Sequence, residues 1–275
     1  LRRTVVRERA VREICEDDLP ARRALEQARV IGAGLAAGEW GFHLQPIVHA
    51  QSGQVVRFEA LLRAHQPDAP PIQAVVSACE RVGTAAELGR AALAAACRQI
   101  RSWSQRGLAP AVIAVNLSPN HLLSPLFERD LIGILRHHDI RAGALELELV
   151  EDPPLAPLGR AIALLTRMRR QGIVCAIDDF GAGSASLRYL RELPVARVKL
   201  DRSYVTGLPH LASSREIVQA LVALAHRLGV KVTGEGVETQ EQAEFLRAVG
   251  CDELQGFLFG RPAPADSLAR YLRRG

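Results

Sequence analysis

An α/β barrel of about eight strands is the fold class that this 275-residue sequence predicts. Three observations lead there. Short runs rich in Val, Ile and Leu alternate with helical segments from Trp40 onward, as in a parallel sheet buried on both faces. No linker rich in Pro, Gly or Ser divides the alternation. Several of the runs also close on a carboxylate or amide, where a barrel of this kind carries its chemistry. An open doubly wound sheet is the alternative, but the sequence lacks the Gly-rich βα turn that grips a dinucleotide.

The elements follow in order. Residues 1–39 are rich in Arg, Glu and Ala and read as a helical connector, with a helix start at Asp18-Leu19-Pro20 and good helix formers from Ala21 to Ala36. Residues 40–275 form the expected single barrel domain. His43 to Val48 and Val55 to Leu62 flank Ser52-Gly53-Gln54, so the first two strands predict a hairpin. Further strands are expected near 113, 147, 175, 198, 232 and 255. Helices are expected over Ala86 to Gln105, Leu158 to Arg170 and Ser213 to Leu228. The last is predicted to start on a Ser213–Glu216 capping box and to stop at Gly229.

Composition excludes several function classes. The five cysteines are scattered without a CxxC pair, which fits a reducing, cytoplasmic compartment and argues against a disulfide framework or zinc-thiolate site. No apolar run is long enough to span a membrane. The start at Leu1 and the single Met168 predict a fragment of a longer protein, so a membrane anchor or sensor is still allowed upstream. The net charge of +5 is spread along the chain, and aromatics make up only 4% of residues, which disfavours a nucleic-acid polymer and favours a small anionic ligand. No GxSxG is present, and the histidines form no rival centre.

The acidic strand ends carry the chemistry. Glu59, Asn116, Glu148, Asp178-Asp179, Lys199 and Glu235 each end or follow a different apolar run. Singly, each has a plain reading: a surface ion pair, a helix cap at Asp178-Asp179, a turn at Glu235-Gly236. Jointly they point to a hard-metal site, because a carboxylate in an apolar strand is costly unless paired or metal-bound. Glu59, Asn116, Glu148 and Asp178 are suited to one Mg²⁺ or Mn²⁺ ion. Asp179 and Glu235 are suited to a second, with Asp178 bridging. Two such ions about 3.5–4 Å apart clamp the oxygens of a phosphate ester and activate water. Lys199 would orient that water or stabilise charge on the transition state, and Gln255 would contact substrate or a metal-bound water.

At these residues the chain resembles the EAL family of cyclic-di-GMP phosphodiesterases. The motif itself is Phe58-Glu59-Ala60-Leu61-Leu62-Arg63, preceded by Gln45-Pro46-Ile47-Val48. Val115-Asn116-Leu117-Ser118, Leu147-Glu148-Leu149-Val150-Glu151 and Asp178-Asp179-Phe180-Gly181-Ala182-Gly183 follow. The series ends with Val198-Lys199-Leu200-Asp201-Arg202, Gly234-Glu235-Gly236-Val237-Glu238-Thr239 and Gln255-Gly256-Phe257-Leu258-Phe259-Gly260-Arg261-Pro262. The resemblance implies a modified TIM barrel with one early strand antiparallel to the rest. It also implies hydrolysis of one phosphodiester of cyclic-di-GMP to pGpG by a metal-activated water, with Glu59, Asp178, Lys199 and Glu235 catalytic. Arg63, Gln255, Gln45 and Leu62 look like substrate contacts, and Glu151 looks like the residue that steadies the loop after Asp179. A homodimer and an upstream GGDEF or sensory domain are implied as partners.

Departures from the family pattern fall outside the ligand set. Gly183-Ser184-Ala185-Ser186 stands where Gly-Tyr-Ser-Ser is usual, Ala64 replaces a Trp, Pro67 to Gln73 is short, and Gly234 replaces an Ala. The altered loop leaves open a receptor that binds cyclic-di-GMP with little or no cleavage.

Overall fold

Only five residues separate strand β1 (Trp40–His49) from β2 (Val55–Ala64), too few for a crossover, so the two strands must pair antiparallel. They do so from Trp40↔Ala64 to Val48↔Val55, and Gly53 takes the left-handed conformation (φ +66°) that the turn requires. This is the computed structural model of the chain, and it describes residues 40–64, 72–108, 112–150, 155–181 and 186–272. The expected connector over 1–39, Glu151 and the altered loop residues 183–185 lie outside the described residues.

The remaining strands are β3 (Val112–Leu117), β4 (Leu145–Val150), β5 (Val174–Phe180), β6 (Arg197–Leu200), β7 (Lys231–Gly234) and β8 (Glu253–Gln255). Among the described residues these eight strands close into a barrel in sequence order. β2 through β8 run parallel, and β1 is antiparallel to both neighbours, β2 and β8. The expected modified barrel is therefore the observed one, and the open sheet is excluded.

Helices wrap the outside: α1 (Ile72–Val82), α2 (Ala85–Gln105), α3 (Pro119–Leu122), α4 (Phe127–His137) and α5 (Leu158–Arg170). They continue with α6 (Ser186–Glu192), α7 (Arg202–Thr206), α8 (Ala212–Arg227), α9 (Gln240–Ala248) and α10 (Ala265–Leu268). The main core lies between barrel and helices. Phe58, Ile113, Leu145, Leu147, Ile177, Val198 and Val232 face outward and are fully buried against helix residues such as Leu93, Trp103, Leu165 and Val222. Among the described residues no helix is long and apolar enough to cross a membrane.

One expected cap lies elsewhere. α8 begins at Ala212 after an extended Leu211, so Ser213 already sits in the first turn and no side chain caps the helix. The capping box belongs to α9, where Thr239 accepts from the Gln242 N–H at 3.2 Å and Gln242 Oε1 accepts from the Thr239 N–H at 3.0 Å. Gly229 does close α8, with φ +72°.

The barrel interior is polar, in layers that alternate strand by strand. The even strands each send in two residues at i and i+2. The lower set is Arg57, Glu146, Arg197 and Glu253, and the upper set is Glu59, Glu148, Lys199 and Gln255. Small side chains of the odd strands, Ala114, Ala176 and Thr233, lie between them and are fully buried. In the lower layer Arg57 Nη1 donates to Glu253 Oε1 at 3.0 Å, Arg57 Nε faces Glu146 Oε1 at 3.6 Å, and Arg197 pairs with Glu146. Two arginines and two glutamates neutralise one another below the site.

Breaking that layer leaves an unpaired buried charge. Arg57→Leu is expected to lower stability by about 3–5 kcal/mol in chemical denaturation. Arg101→Ala, at the exposed Arg101–Asp139 pair, is expected to change stability by less than about 1 kcal/mol.

Candidate active site

The upper layer opens at the C-terminal ends of the parallel strands, and at its centre stands Lys199. Its ammonium is within 3.2 Å of Glu59 Oε2, 3.1 Å of Glu148 Oε2, 2.9 Å of Asp178 Oδ1 and 2.7 Å of Glu235 Oε1. These carboxylates come from β2, β4, β5 and the end of β7. The interior parity of each strand turns them to the barrel axis. Glu59 also accepts from Asn116 Nδ2 at 2.8 Å and from Gln255 Nε2 at 2.7 Å. Gln255 in turn donates to Gln45 Oε1 at 3.2 Å, and Gln45 donates to the Gly260 carbonyl.

Consecutive strand residues face opposite sides, so Asp178 and Asp179 share the site only because β5 is irregular. The β5–β6 register slips by one residue between Ile177 and Phe180, and Asp179 adopts φ +50°. The extra residue is a β-bulge, and it turns the second carboxylate toward the first. Two carboxylate groupings result, Glu59 with Glu148 and Asp178, and Asp178 with Asp179 and Glu235, each with oxygens within 4.8 Å of one another.

Charge crowding shifts the titrations. Burial pushes the Glu148 carboxyl well up, reinforced by Glu59, Asp178 and Glu146 and only partly offset by Lys199. Burial likewise raises Glu235 well above its ordinary range and raises Asp178, against the pull of Lys199. Asp179 is pushed up to about 6, by burial and by the neighbouring Asp178 and Asp201. Burial also acts upward on Glu59, but Lys199 and hydrogen bonds from Gln255 and Asn116 outweigh it and hold that carboxyl low. For Lys199, burial acts downward and the surrounding carboxylates prevail, so the amine stays charged far above neutral pH.

A cleft of about 570 Å³ lies over this floor, within the size range of small-ligand sites. Gln45, Glu59, Arg63, Asp178, Asp179, Lys199, Glu235 and Gln255 line it. Asn116 is held in the same layer by Glu59, and Glu148 lies fully buried beneath Lys199. Leu62 does not line the cleft. Along β2 it faces away from the interior, while Leu61 and Arg63 face in and line the cleft. The Leu62 carbonyl has a different use, accepting from Arg63 Nη1 at 2.7 Å.

The rim adds residues that sequence reasoning assigned no role: Asp201, Arg202, Glu238, Phe257 and Arg261. Arg261 lies 4.0 Å over the Phe257 ring, which is 45% exposed. Their signal was available, since each lies just beyond a strand end. The i, i+2 doubling at 57/59, 146/148, 197/199 and 253/255 equally marked the lower ionic layer.

The sequence profile described as the EAL domain matches residues 22–262. The chain belongs to the EAL domain family. The match begins inside the segment read from sequence as a connector. A bifunctional diguanylate cyclase/cyclic di-GMP phosphodiesterase, MucR of Pseudomonas aeruginosa, is 36% identical over 249 residues, 90% of this chain and 35% of the relative. The EAL chain thus spans about a third of the length of that relative. The solved MucR phosphodiesterase in complex with c-di-GMP superposes with a TM-score of 0.81 at 36% identity, covering 88% of this chain and 99% of that one. A manganese and cyclic-di-GMP complex of BlrP1 from Klebsiella pneumoniae superposes with a TM-score of 0.71 at 28% identity, covering 82% and 56%.

The raised carboxyls set a pH dependence. A native acid with a raised pKa binds more protons than the unfolded chain between its two values, so stability falls as pH rises through that window. For Asp179 the window runs from the ordinary 3.8 to about 6. The chelator-treated EAL domain is expected to lose thermal stability as pH rises across it, and Asp179→Asn to flatten that slope in pH-resolved thermal melts.

Proposed function

We propose that this EAL domain hydrolyses one phosphodiester bond of cyclic-di-GMP to linear pGpG, using two divalent cations, Mg²⁺ or Mn²⁺. The observation that carries this reading is the clustering of carboxylates around Lys199 beneath an arginine-bearing cleft. Both oxygens of Glu148 and Oδ1 of Asp178 are buried without a hydrogen-bond donor in good geometry, although Lys199 pairs electrostatically with Glu148 Oε2 and Asp178 Oδ1. Such oxygens suit a hard cation. Ionised, the five carboxylates and one ammonium leave four negative charges, which two divalent ions balance. The match to the MucR phosphodiesterase and to BlrP1, both solved with cyclic-di-GMP, supports the substrate.

Glu59, Asn116, Glu148 and Asp178 would hold one cation, and Asp178, Asp179 and Glu235 the other. Bound there, the cations supply Lewis-acid polarisation of the phosphoryl oxygens and lower the pKa of water. The protein's own groups do the rest. Arg63, braced on the Leu62 carbonyl, presents a guanidinium to a substrate phosphate. Lys199 orients the attacking water through Nζ and offsets charge growing on the phosphoryl group. Gln255 and Asn116 fix Glu59 from two sides. The water oxygen bonds to phosphorus, the P–O3′ bond breaks, and the 3′ oxygen leaves protonated.

The domain would act as the catalytic module of a longer signalling protein. It would work as a cytoplasmic homodimer with sensory or GGDEF partners upstream.

Chromatography of cyclic-di-GMP incubated with the purified domain and Mg²⁺ or Mn²⁺ tests the reading. Formation of pGpG is expected, stopped by chelation. Glu59→Ala is expected to lower turnover at least about a thousandfold, equivalent to about 4 kcal/mol of barrier, with an unchanged circular dichroism spectrum. Tight nucleotide binding without product would make the chain a receptor instead. Arg63→Ala is expected to raise KM about tenfold or more, the loss of one charge-assisted hydrogen bond.

A further inference from the structure

We propose that Tyr204 is a positioning residue that sets the geometry of the second cation site through the peptide following Asp178-Asp179. The inference rests on the two-cation reading above. Helix α7 starts directly beyond Lys199 and β6, with Asp201 as its cap accepting from the Ser203 N–H at 3.0 Å. Its two flanks press on the end of β5, which carries Asp179, and on the turn after β7, which carries Glu235.

On one flank the Tyr204 ring stands against Gly181. A Cβ at Gly181 would lie 2.7 Å from Tyr204 Cε2, and the glycine itself has φ +97°. On the other flank a Cβ at Gly236 would lie 2.6 Å from the Arg202 Cβ, with φ +67°. Both glycines admit close backbone approach, and neither position tolerates a side chain. α7 is thus a spacer between the end of β5 and the end of β7, whose carboxylates form the group Asp178, Asp179 and Glu235.

The Tyr204 hydroxyl adds a specific hold, donating to the Gly181 carbonyl. Asp179 lies two residues before that carbonyl, in a left-handed conformation (φ +50°) that is uncommon outside glycine, though less so for Asp than for most residues. Phe180, fully buried, pins the chain between them. The ring sets the distance of the loop from β6, and the hydroxyl sets the orientation of the peptide. Loss of the hydroxyl removes one specific hold on the bulge, and any relaxation toward a regular strand would turn the Asp179 carboxylate away from Asp178.

Tyr204→Phe removes the hydroxyl and keeps the ring. Calorimetric titration of the metal-free domain with MnCl2 near neutral pH is expected to give two affinity classes for the wild type. In the variant one class should weaken about threefold to tenfold, the net worth of one hydrogen bond, while the other is unchanged. The melting temperature of the metal-free protein should stay within about 2 °C. In turnover assays the Mn²⁺ concentration for half-maximal rate should rise while KM for cyclic-di-GMP holds. Two unchanged classes would overturn the role of Tyr204. So would weakening of both classes together with a fall in melting temperature, which would mark a general loosening. A wild-type domain that binds fewer than two Mn²⁺ would overturn the two-cation reading itself.

Discussion

The ammonium of Lys199, enclosed by four carboxylates within 3.2 Å, is the interaction on which the arrangement of this barrel depends. Carboxylates crowded together and largely withdrawn from water repel one another and lose hydration, and either effect alone would drive them to protonate or turn outward. One cation on the barrel axis holds them facing inward. It does not satisfy them, as the raised carboxyls of Glu148, Asp178 and Glu235 show. A site of this kind is charged in advance, folded around less positive charge than its ligands can accept. Preorganised carboxylates need little rearrangement when further cations arrive.

The rest of the fold serves that centre by separating functions between layers. The lower ring of Arg57, Glu146, Arg197 and Glu253 is neutral within itself, so the barrel is closed below by ion pairs rather than by an apolar plug. Small residues on the odd strands leave room for both rings. Apolar stabilisation is moved outward, to the shell between strands and helices. The antiparallel β1 contributes Gln45 and Ile47 to the interior and, through Gln45, ties Gln255 to the Gly260 carbonyl. Irregularity is confined to the working end, where a bulge in β5 and positive φ at Asp179, Gly181 and Gly236 bring the second group of carboxylates together.

Membership of the EAL family accounts for the order of the motifs along the chain. The curated MucR relative is about three times as long as the stretch it shares with this chain. A barrel of this kind is a module whose floor is self-contained. Phe257 and Arg261 stand exposed at the mouth.

Much of this was legible in the sequence because it depends on local periodicity. The hairpin followed from Ser52-Gly53-Gln54, the parallel strands from their apolar runs, and the helix Leu158–Arg170 from its pattern, with bounds as observed. Glu59, Glu148, Asp178, Lys199 and Glu235 were recognisable because a charged residue at the end of an apolar strand needs a partner. Tertiary structure decided what sequence distance conceals. Strand parity placed Leu61 rather than Leu62 in the cleft lining. A one-residue register slip allowed Asp178 and Asp179 to face the same way. Closure of the barrel brought Arg57 to Glu253 across 196 positions of sequence. Sequence sets which residues are polar and where strands run. Only barrel closure and register set which polar groups meet, because those depend on all eight strands at once.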